Sequence, residues 1–553
     1  MIKVNYKKPF FTLSFGYECG NAEFKDHLQE VRNLPVRKWN KKDKVWEVPQ
    51  LSVKTLEPLS SLSWSPEAQE AAIKIQKLLL DLVNLKLSKG AQHPLLRPYQ
   101  VVGAEFLVKA KKALLADDMG LGKTIQSIEA ICRLNGKYNL ILCPASVKWK
   151  WQDEFMKHFG LQACVVSGTK EDRRAIWESL PSPYIICNYD LLIKDWDIIP
   201  KEWSSIIADE AVYLKNPKAQ RTKLARKLKS EARIALSGIY IETNLMEFQA
   251  IMEWIRPEII PSAFQFKYRY CEIDEFTKKI IGTTDKLPEL HLLTSPFILR
   301  REKTDKNIVS DLPEKMPPDD IPIEMTDSEI KMYSSLSKKF KEWIQESASG
   351  GFSSAAIWDG TVNCRQFTEF PDIVDPSWKD TPSKLTWLSE LYDQTNKVVV
   401  FTFFRESANR LIQYFKTPFY ITGEVDANDR FDISKKFNAA SKAILISTDA
   451  GKFGLDLVGA DTIVHYGFVH NPATMIQRED RLHRIGQKNP VFVYRPFLKN
   501  TIDEGIMKVF LRRQKAIKDF LSGSDTMSIV KLSVEDYHLM IEGQDMIGTS
   551  EAS

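Results

Sequence analysis

Two stretches of this sequence alternate short apolar runs with segments of helical length, and this alternation narrows the possible folds more than any other feature. The stretches cover residues 93–245 and 379–510. Strands that alternate with helices form parallel sheets with crossover helices. We therefore predict an α/β protein with two parallel-sheet lobes. The apolar runs are Ala113–Ala116, Leu140–Cys143, Tyr184–Cys187, Ser205–Ala208, Ile234–Leu236, Lys397–Phe401, Ala443–Ser447, Thr462–Tyr466 and Val491–Tyr494.

The alternation is absent from the rest of the chain. Residues 246–378 are helical in pattern and rich in aromatic residues, which predicts a helical insertion with protrusions. Residues 1–50 predict a small βαββ domain, residues 51–92 a helical connector, and residues 511–553 a C-terminal helical extension. The expected N-terminal elements are a strand at Phe10–Tyr17, a helix at Ala22–Val31, a hairpin of Val36–Trp39 with Val45–Val48, and a connector helix from Pro66 to Leu87.

Composition excludes several classes of protein. The seven cysteines include no CxxC pair, which argues against a zinc site or a disulfide framework and indicates a reducing compartment. The N-terminus has no apolar signal region, and no run approaches the ~20 apolar residues of a membrane span. We expect a soluble intracellular chain without a membrane partner, cytoplasmic if bacterial or phage-encoded and nuclear if eukaryotic.

A glycine-containing loop follows the first apolar run. Its sequence is Asp118-Met119-Gly120-Leu121-Gly122-Lys123-Thr124. Glycines let backbone N–H groups turn toward phosphate oxygens, the lysine neutralises phosphate charge, and the threonine can ligate Mg²⁺. Asp117 stands where the strict motif has its first glycine, so a chance match is the alternative. The loop predicts a nucleotide site for ATP.

An acidic pair, Asp209-Glu210, ends another apolar run. In phosphoryl transfer, an aspartate at this place holds Mg²⁺ and a glutamate orients or deprotonates the attacking water. A solvated strand end is the alternative. We predict Lys123, Asp209 and Glu210 as catalytic residues, and Asp209 and Thr124 as metal ligands.

Two arginines in the second lobe complete the predicted site. Arg481 and Arg484 are three residues apart, a spacing that places them on one helical face. A guanidinium at a γ-phosphate stabilises the charge of the transition state. The alternative is a surface helix with salt bridges.

With these motifs in order, the chain resembles the Swi/Snf-type ATPases of helicase superfamily 2 over roughly residues 93–510. The resemblance implies two RecA-like lobes, bound ATP and Mg²⁺, and movement along double-stranded DNA. It rests also on Leu96–Gln100, Leu142–Ala145, Cys187–Asp190, Lys215–Pro217, Leu299–Arg301, Asp311–Pro313, Ser383–Leu385, Ser447–Ala450, Gly454–Leu457, Asn471-Pro472 and Arg484–Gln487.

The resemblance also implies roles for single residues. Arg97 and Gln100 belong to the opening motif, with Gln100 placed to recognise adenine, and Gly454 and Asp456 belong to the nucleotide site of the second lobe. The implied DNA contacts are Pro144, Asn188, Tyr189, Lys215, Asn216 and Thr448.

Five positions depart from the family pattern. Val212 stands where the family usually has His or Gln, and Ser237-Gly238-Ile239-Tyr240 replaces a Thr-Gly-Thr-Pro-like motif. Gly451-Lys452 replaces paired glycines, Asp456 an asparagine, and His470 a tryptophan. Val212 and Ile239-Tyr240 fall where the family couples hydrolysis to lobe movement, so the departures favour weaker coupling.

The N-terminal segment Lys38–Pro49 is similar to the HARP domain of annealing helicases. Trp39 and Trp46 lie among lysines, a composition that can stack on exposed bases and neutralise phosphates. Alternatively, the two tryptophans are the core of a very small domain.

A basic run follows the acidic pair. Residues 215–233 contain eight basic residues and one acid, which predicts contact with the phosphate backbone of DNA or, alternatively, a solvated helix face. We therefore expect a translocase on double-stranded or branched DNA, active as a monomer, with annealing or fork-remodelling activity. Its protein partners are unknown. The alternatives are an RNA-polymerase-associated Swi/Snf ATPase and a DNA-binding scaffold whose ATPase coupling has decayed.

Overall fold

In the computed structural model, the described residues form two compact units, one within Met1–Ile308 and the other within Val309–Ser522. Some residues of the predicted elements and motifs lie outside the described residues: Tyr17, Ile239, Asp311, Ala450, Gly451-Lys452, Gly454 and His470. Most of the expected C-terminal extension lies outside them as well. The described residues are 1–15, 21–238, 240–241, 244–274, 280–303, 305, 308, 312–348, 354–449, 455–469 and 471–521.

The N-terminal region is a five-stranded mixed sheet in the order β3-β4-β2-β1-β5, with one α-helix and a short 3-10 helix at Gln50–Leu56 among its described residues. The expected strand, helix and hairpin are present, but the sheet has two further strands. β5 pairs with β1 through residue 64, so the sheet continues past the domain end that we expected at residue 50. The elements are β1 (Ile2–Lys7), β2 (Phe10–Phe15), α1 (Asn21–Arg32), β3 (Lys38–Asn40), β4 (Val45–Pro49) and β5 (Leu62–Trp64).

The connector helix is present as α2 (Pro66–Lys86). The side chain of Ser65 caps its start by accepting from the Ala68 amide (3.2 Å). Its buried residues Ala72, Ile75, Leu79 and Leu82 recur at three- and four-residue spacing, so one stripe of the helix packs inward.

The first lobe contains a seven-stranded parallel sheet in the order β14-β6-β11-β10-β7-β9-β8. Its central strands are buried on both faces, which explains their continuous apolar sequence. The edge strand β14 comes from the predicted insertion. The elements are α3 (Pro98–Ala110), β6 (Lys112–Leu115), α4 (Lys123–Leu134), β7 (Asn139–Cys143), α5 (Lys148–Phe159), β8 (Cys164–Val165), α6 (Lys170–Ser179), β9 (Tyr184–Asn188), α7 (Tyr189–Lys194), β10 (Glu202–Asp209), α8 (Gln220–Lys227), β11 (Lys229–Leu236), α9 (Leu245–Ile255), α10 (Ala263–Tyr270), β12 (Cys271–Ile273), β13 (Ile280–Thr283), α11 (Leu287–Thr294) and β14 (Ile298–Leu299).

The second unit contains a six-stranded parallel sheet in the order β15-β20-β19-β16-β18-β17. Its edge strand β15 also comes from the predicted insertion, so that segment contributes a strand to each lobe as well as helices. The expected fold class, two parallel-sheet α/β lobes with a small N-terminal domain, is confirmed. The elements are β15 (Asp319–Ile323), α12 (Asp327–Ala348), α13 (Ser354–Glu369), α14 (Pro371–Val374), α15 (Ser383–Gln394), β16 (Lys397–Phe401), α16 (Arg405–Phe415), β17 (Tyr420–Ile421), α17 (Ala427–Ala439), β18 (Ala443–Ser447), β19 (Thr462–His465), α18 (Pro472–Glu479), β20 (Phe492–Leu498) and α19 (Ile502–Leu521).

Within the described ranges, no helix combines the length and the apolar character needed to cross a membrane.

Candidate active site

The loop that we predict to bind phosphate connects β6 to α4. Gly120 and Gly122 have φ values of +89° and +72°, in the left-handed region that favours glycine. The Lys123 ammonium donates to the carbonyl oxygens of Asp117 (2.7 Å) and Asp118 (3.2 Å). Lys123 also begins α4, and the dipole of a helix favours an anion at its N-terminus. The loop therefore has the backbone form and the positive charge that a phosphate site requires.

Asp117 stands where the strict phosphate-loop motif has glycine, and it connects the loop to Arg301 and Gln126. Its buried carboxylate accepts from Nε of Arg301 (3.0 Å) and from Nε2 of Gln126 (3.2 Å). Arg301 donates in turn to Oε1 of Gln126 (2.7 Å) and to the Tyr99 carbonyl. The Asp118 amide also donates to the carbonyl of Arg301 (3.0 Å). The segment after β14 thus lies along the phosphate loop and fastens it.

The segment after β11 approaches the same loop. A Cβ atom on Gly238 would lie 3.1 Å from Cγ of Met119 and 3.3 Å from the Asp117 carbonyl oxygen, so this close approach favours glycine. The ring of Tyr240 packs against α9, and Val212 is buried. Two departures from the family pattern therefore place apolar contacts beside the predicted site.

Asp209 and Glu210 stand at the carboxyl end of β10. The Asp209 carboxylate accepts from the indole N–H of Trp151 (2.8 Å) and from the Glu210 amide (2.9 Å). The Tyr189 hydroxyl donates to the backbone carbonyl of Asp209 (2.7 Å). Burial raises the pKa of Asp209, while the Trp151 hydrogen bond and the charge of Lys123 oppose that rise. Glu210 has a φ of +48°, a strained backbone of the kind that concentrates at functional sites.

These residues fit a nucleotide with a magnesium ion. Each Asp209 oxygen accepts one described hydrogen bond and retains a lone pair for a cation. Thr124 is the second residue of α4. No three His, Cys, Asp or Glu side chains among the described residues form a metal cluster. An ion at Thr124 and Asp209 would therefore take its other oxygen ligands from phosphate and water.

Gln100 supports the phosphate loop from α3. Its Oε1 accepts from the Arg97 amide (2.9 Å), and its Nε2 donates to the Leu121 carbonyl (3.2 Å). A Cβ atom on Gly122 would lie 2.5 Å from that Nε2. Recognition of adenine by Gln100 would require these partners to be exchanged, and the roles of Arg97 and Gln100 stay predictions.

Arg481 and Arg484 do not share a helical face, which corrects our expectation. α18 ends at Glu479, and turns follow it. The Arg481 carbonyl accepts from the Leu457 amide (2.9 Å), which takes this acceptor away from a continuing helix. Both guanidinium groups nevertheless reach the Leu455 carbonyl at 3.4 Å. Arg484 also forms an ion pair with Asp456. The two arginines therefore face one loop of the second lobe.

Three predicted DNA contacts of the first lobe lie at strand ends. Pro144 directly follows β7 and is buried, and Asn188 caps α7 by accepting from the Leu191 amide (2.9 Å). The buried Tyr189 ring stacks on Tyr213, with centroids 5.1 Å apart. Pro144, Asn188 and Tyr189 thus have structural partners, and their contacts with DNA stay predictions.

The other predicted DNA contacts are more open. Asn216 is exposed and accepts from the Lys218 amide (2.9 Å). Lys215 pairs with Glu247 (3.4 Å). Thr448 follows β18 and its amide donates to the Ile421 carbonyl (3.1 Å). Their contacts with DNA also stay predictions.

Some residues of the basic run have partners within the lobe, and others lie on the exposed side of α8. Arg226 pairs with Glu253 (2.7 Å) and Lys229 with Glu202 (3.0 Å). The Arg233 guanidinium donates to backbone carbonyls inside the lobe. Lys223 and Lys227 are exposed one turn apart on α8. The exposed lysines of α8 are therefore the candidates for phosphate contact, which stays a prediction.

Trp39 and Trp46 form an aromatic pair on the N-terminal hairpin. They are direct cross-strand partners, with ring centroids 5.2 Å apart. Trp39 is 42% exposed, and the domain core is formed by other residues. The interpretation of both tryptophans as the core is therefore wrong. The core residues are Ile2, Val4, Phe11, Leu13, Val31, Leu34, Val48, Val53 and Leu56.

Sequence reasoning missed Arg301, Gln126 and Trp151 as supports of the site. Arg301 belonged to a motif with no assigned role, and it lies far from Asp117 along the chain. Gln126 belongs to no motif that we recognised. The sequence could not distinguish Trp151 from Trp149, which stands two residues away and is partly exposed.

Comparisons with known proteins match both lobes. The family described as "SNF2-related domain" matches residues 99–373, which contain the phosphate loop and the acidic pair. The family described as "Helicase conserved C-terminal domain" matches residues 383–486, which contain both arginines.

Individual relatives cover most of this chain. The human "SWI/SNF-related matrix-associated actin-dependent regulator of chromatin subfamily A member 1" is 29% identical, over 75% of this chain and 42% of its own length. An "Uncharacterized ATP-dependent helicase" of Mycoplasma pneumoniae is 31% identical, over 77% of this chain and 42% of its own length. The chain thus spans about two fifths of the length of these relatives.

A solved structure is also similar. It is described as "Sulfolobus solfataricus SWI2/SNF2 ATPase core in complex with dsDNA", with 28% identity and a TM-score of 0.39. The match covers 82% of this chain and 98% of that one.

Proposed function

Because this chain belongs to the Swi/Snf-type ATPases of helicase superfamily 2, we propose that it is a DNA-dependent ATPase that moves along double-stranded DNA. The observation that carries the proposal is the packing of the phosphate loop, β10 and the β11 segment around Lys123 and Asp209. These residues have the arrangement of charge that phosphoryl transfer requires.

We assign the following roles. A bound ATP would supply the phosphoanhydride bond, and a bound Mg²⁺ would neutralise phosphate charge. Lys123 would exchange its carbonyl partners for phosphate oxygens. Thr124 and Asp209 would hold the cation, and Glu210 would orient the attacking water. Arg481 and Arg484 neutralise the charge that develops on the transferred group. Arg97, Gln100, Gly454 and Asp456 are the residues that we propose for binding the rest of the nucleotide.

The test is the rate of phosphate release with duplex DNA, single-stranded DNA, forked DNA and RNA. We expect the largest stimulation with duplex or forked DNA. Lys123→Ala should remove it, because an uncharged side chain cannot neutralise the phosphates. Stimulation that persists in Lys123→Ala, or stimulation by RNA alone, would contradict the proposal.

The preferred substrate is proposed separately to be branched DNA, with annealing or fork remodelling as the activity. Support comes from the exposed Trp39 beside Trp46, since base stacking on an aromatic ring is worth about 1–3 kcal/mol. Arg37, Lys38, Lys41, Lys42 and Lys44 flank the pair in the sequence and can neutralise phosphates.

A point variant tests this better than a deletion. Removal of residues 1–50 would cut the sheet that includes β5. Trp39→Ala leaves the core intact and should lower activity on forks while sparing activity on plain duplex. An equal loss on both substrates would overturn the assignment of the hairpin to branched DNA.

A scaffold with decayed ATPase coupling is the second candidate, and the apolar positions Val212 and Tyr240 favour it. In that case duplex DNA would bind without stimulating phosphate release. A wild-type chain that binds duplex with no stimulation would select the scaffold over the translocase.

A further inference from the structure

We propose that Trp151 is a positioning residue for the magnesium-binding carboxylate, an inference that rests on the proposed nucleotide site. Its indole N–H donates to Oδ2 of Asp209 at 2.8 Å. Neither the acidic-pair motif nor the phosphate loop includes this residue. It belongs to the first turn of α5, which begins at Lys148.

The surroundings of Trp151 fix the direction of that hydrogen bond. Its side chain is 1% exposed, and its ring lies 6.4 Å from Phe155, which packs in turn on Tyr184 at 4.8 Å. A ring packed in this way has one orientation, so its N–H points to one place. Asp209 therefore receives a donor that does not need to reorganise when a cation binds.

The other contacts of Asp209 complete the support. The Glu210 amide donates to Oδ1, and the Tyr189 hydroxyl donates to the backbone carbonyl. Trp151 is the side chain among these that fixes the second carboxylate oxygen. Hydrogen bonds to a ligating carboxylate orient it, and their removal typically weakens metal affinity by about 10–100-fold. Magnesium affinity should thus depend on an indole N–H that is not itself a ligand.

The competing interpretation is that Asp209 merely satisfies a buried indole, since buried tryptophans usually find an acceptor. The same lobe offers a matched control. Trp177 is 2% exposed, and its indole N–H donates to Oδ2 of Asp195 at 3.2 Å. Asp195 also forms an ion pair with Arg173 (2.8 Å) and is not part of the predicted nucleotide site. Replacing either tryptophan by phenylalanine removes one buried indole–carboxylate bond.

The experiment measures ADP affinity by calorimetry with and without Mg²⁺, in the full chain and in Trp151→Phe and Trp177→Phe. In the wild type, Mg²⁺ should tighten ADP binding. We expect Trp151→Phe to raise the Mg²⁺ concentration for half-maximal tightening by about 10-fold or more, while metal-free ADP affinity changes little. Trp177→Phe should behave as wild type in both measurements.

An equal change in Mg²⁺ dependence for both variants, or no change for Trp151→Phe, would overturn the proposal. If Trp151→Phe does not fold, Trp151 can be replaced by 3-benzothienylalanine, which keeps the ring shape and lacks the N–H. That replacement should give the same 10-fold shift. Failure of the proposed ATPase would appear separately, as an absence of DNA-stimulated phosphate release in a wild type that still binds Mg²⁺ and ADP.

Discussion

At the scale of single residues, Asp117 shows how a motif departure can be a structural requirement. A strict phosphate loop has glycine at this position, yet here a buried carboxylate pairs with Arg301 and Gln126. These contacts join the loop to the segment after β14, which is 184 residues away along the chain. Arg301 also hydrogen-bonds the backbone of Tyr99, so one guanidinium connects α3, α4 and the loop.

We predict that Asp117→Gly, which restores the strict motif, destabilises the protein. The change leaves the Arg301 charge buried without its carboxylate, which typically costs about 3–5 kcal/mol. Denaturant unfolding followed by fluorescence measures the loss. Glu202→Gln is the control because it breaks the exposed pair with Lys229, where the cost should stay below about 1 kcal/mol. Equal losses in the two variants would show that the buried Asp117 pair contributes no more to the free energy of unfolding than the exposed pair does.

A second residue-scale prediction concerns Asp456, which pairs with Arg484 in this chain. Asparagine, the residue usual in the family, would remove the negative charge that offsets the Arg484 guanidinium. We expect Asp456→Asn to lower the ATP concentration for half-maximal activity by roughly 2–5-fold, in line with a partly exposed pair worth about 1 kcal/mol or less. Steady-state ATPase assays measure this, and a raised half-maximal concentration would contradict the expectation.

At the scale of elements, the sequence correctly predicted the helices, strands and loops whose positions depend on neighbouring residues. The phosphate loop, α4, β10 and α2 follow from apolar runs, glycines and caps that lie within a few residues of one another. The arginine segment was predicted less well, because its helix ends where long-range contacts intervene. Glu479 at that end accepts from Lys315 (2.6 Å) and contacts His465 (3.2 Å), and neither partner is near it in sequence.

The end of α18 also gives a pH-dependent prediction. Lys315 and His465 lower the pKa of Glu479 to about 2 despite the opposing effect of burial, while burial lowers the pKa of His465. A carboxyl group with a lowered folded pKa stabilises the protein above its unfolded pKa of about 4.5, and that contribution is lost as pH falls toward 2. We expect Glu479→Gln to cost about 3 kcal/mol at pH 7 and progressively less below pH 4.5.

Denaturant unfolding at pH 7, 5 and 3.5 measures the difference between wild type and Glu479→Gln. Asp449→Asn is a useful comparison, because Asp449 pairs with Arg478 in the same region but is half-exposed. A stability difference for Glu479→Gln that does not shrink with falling pH would exclude the ion pair as its cause.

At the scale of the whole molecule, the sequence predicted two parallel-sheet lobes correctly because buried parallel strands are apolar throughout. It underestimated the extent of each sheet. β14 and β15 are edge strands, of two and five residues, and β1 alternates apolar with polar residues. Edge strands contain few apolar residues. Their positions therefore depend on pairing with a neighbouring strand rather than on a pattern in their own sequence.

Charge distribution is likewise a property of the whole fold. A net charge of +5 says little about DNA binding. In the folded first lobe, some basic residues pair with acidic side chains, and others lie exposed on α8. Lys223 and Lys227 project from α8, whereas Lys229 has an acidic partner in Glu202. Since neutralised phosphates release counterions, each lysine that contacts DNA adds about 0.9 to the slope of log affinity against log salt concentration.

We therefore predict that the double variant Lys223→Gln, Lys227→Gln weakens duplex binding and lowers that slope by about 1–2, because it removes two phosphate contacts. Lys229→Gln, which removes one charge from the same run, should leave the slope within error of the wild type. Fluorescence anisotropy on a labelled duplex between 50 and 200 mM salt, roughly the range in which such slopes are resolved, measures both. The loss should be the same for duplexes of different sequence, since phosphate contacts carry no base specificity. A slope lowered as much by Lys229→Gln as by the α8 pair would place the DNA contact elsewhere on this lobe.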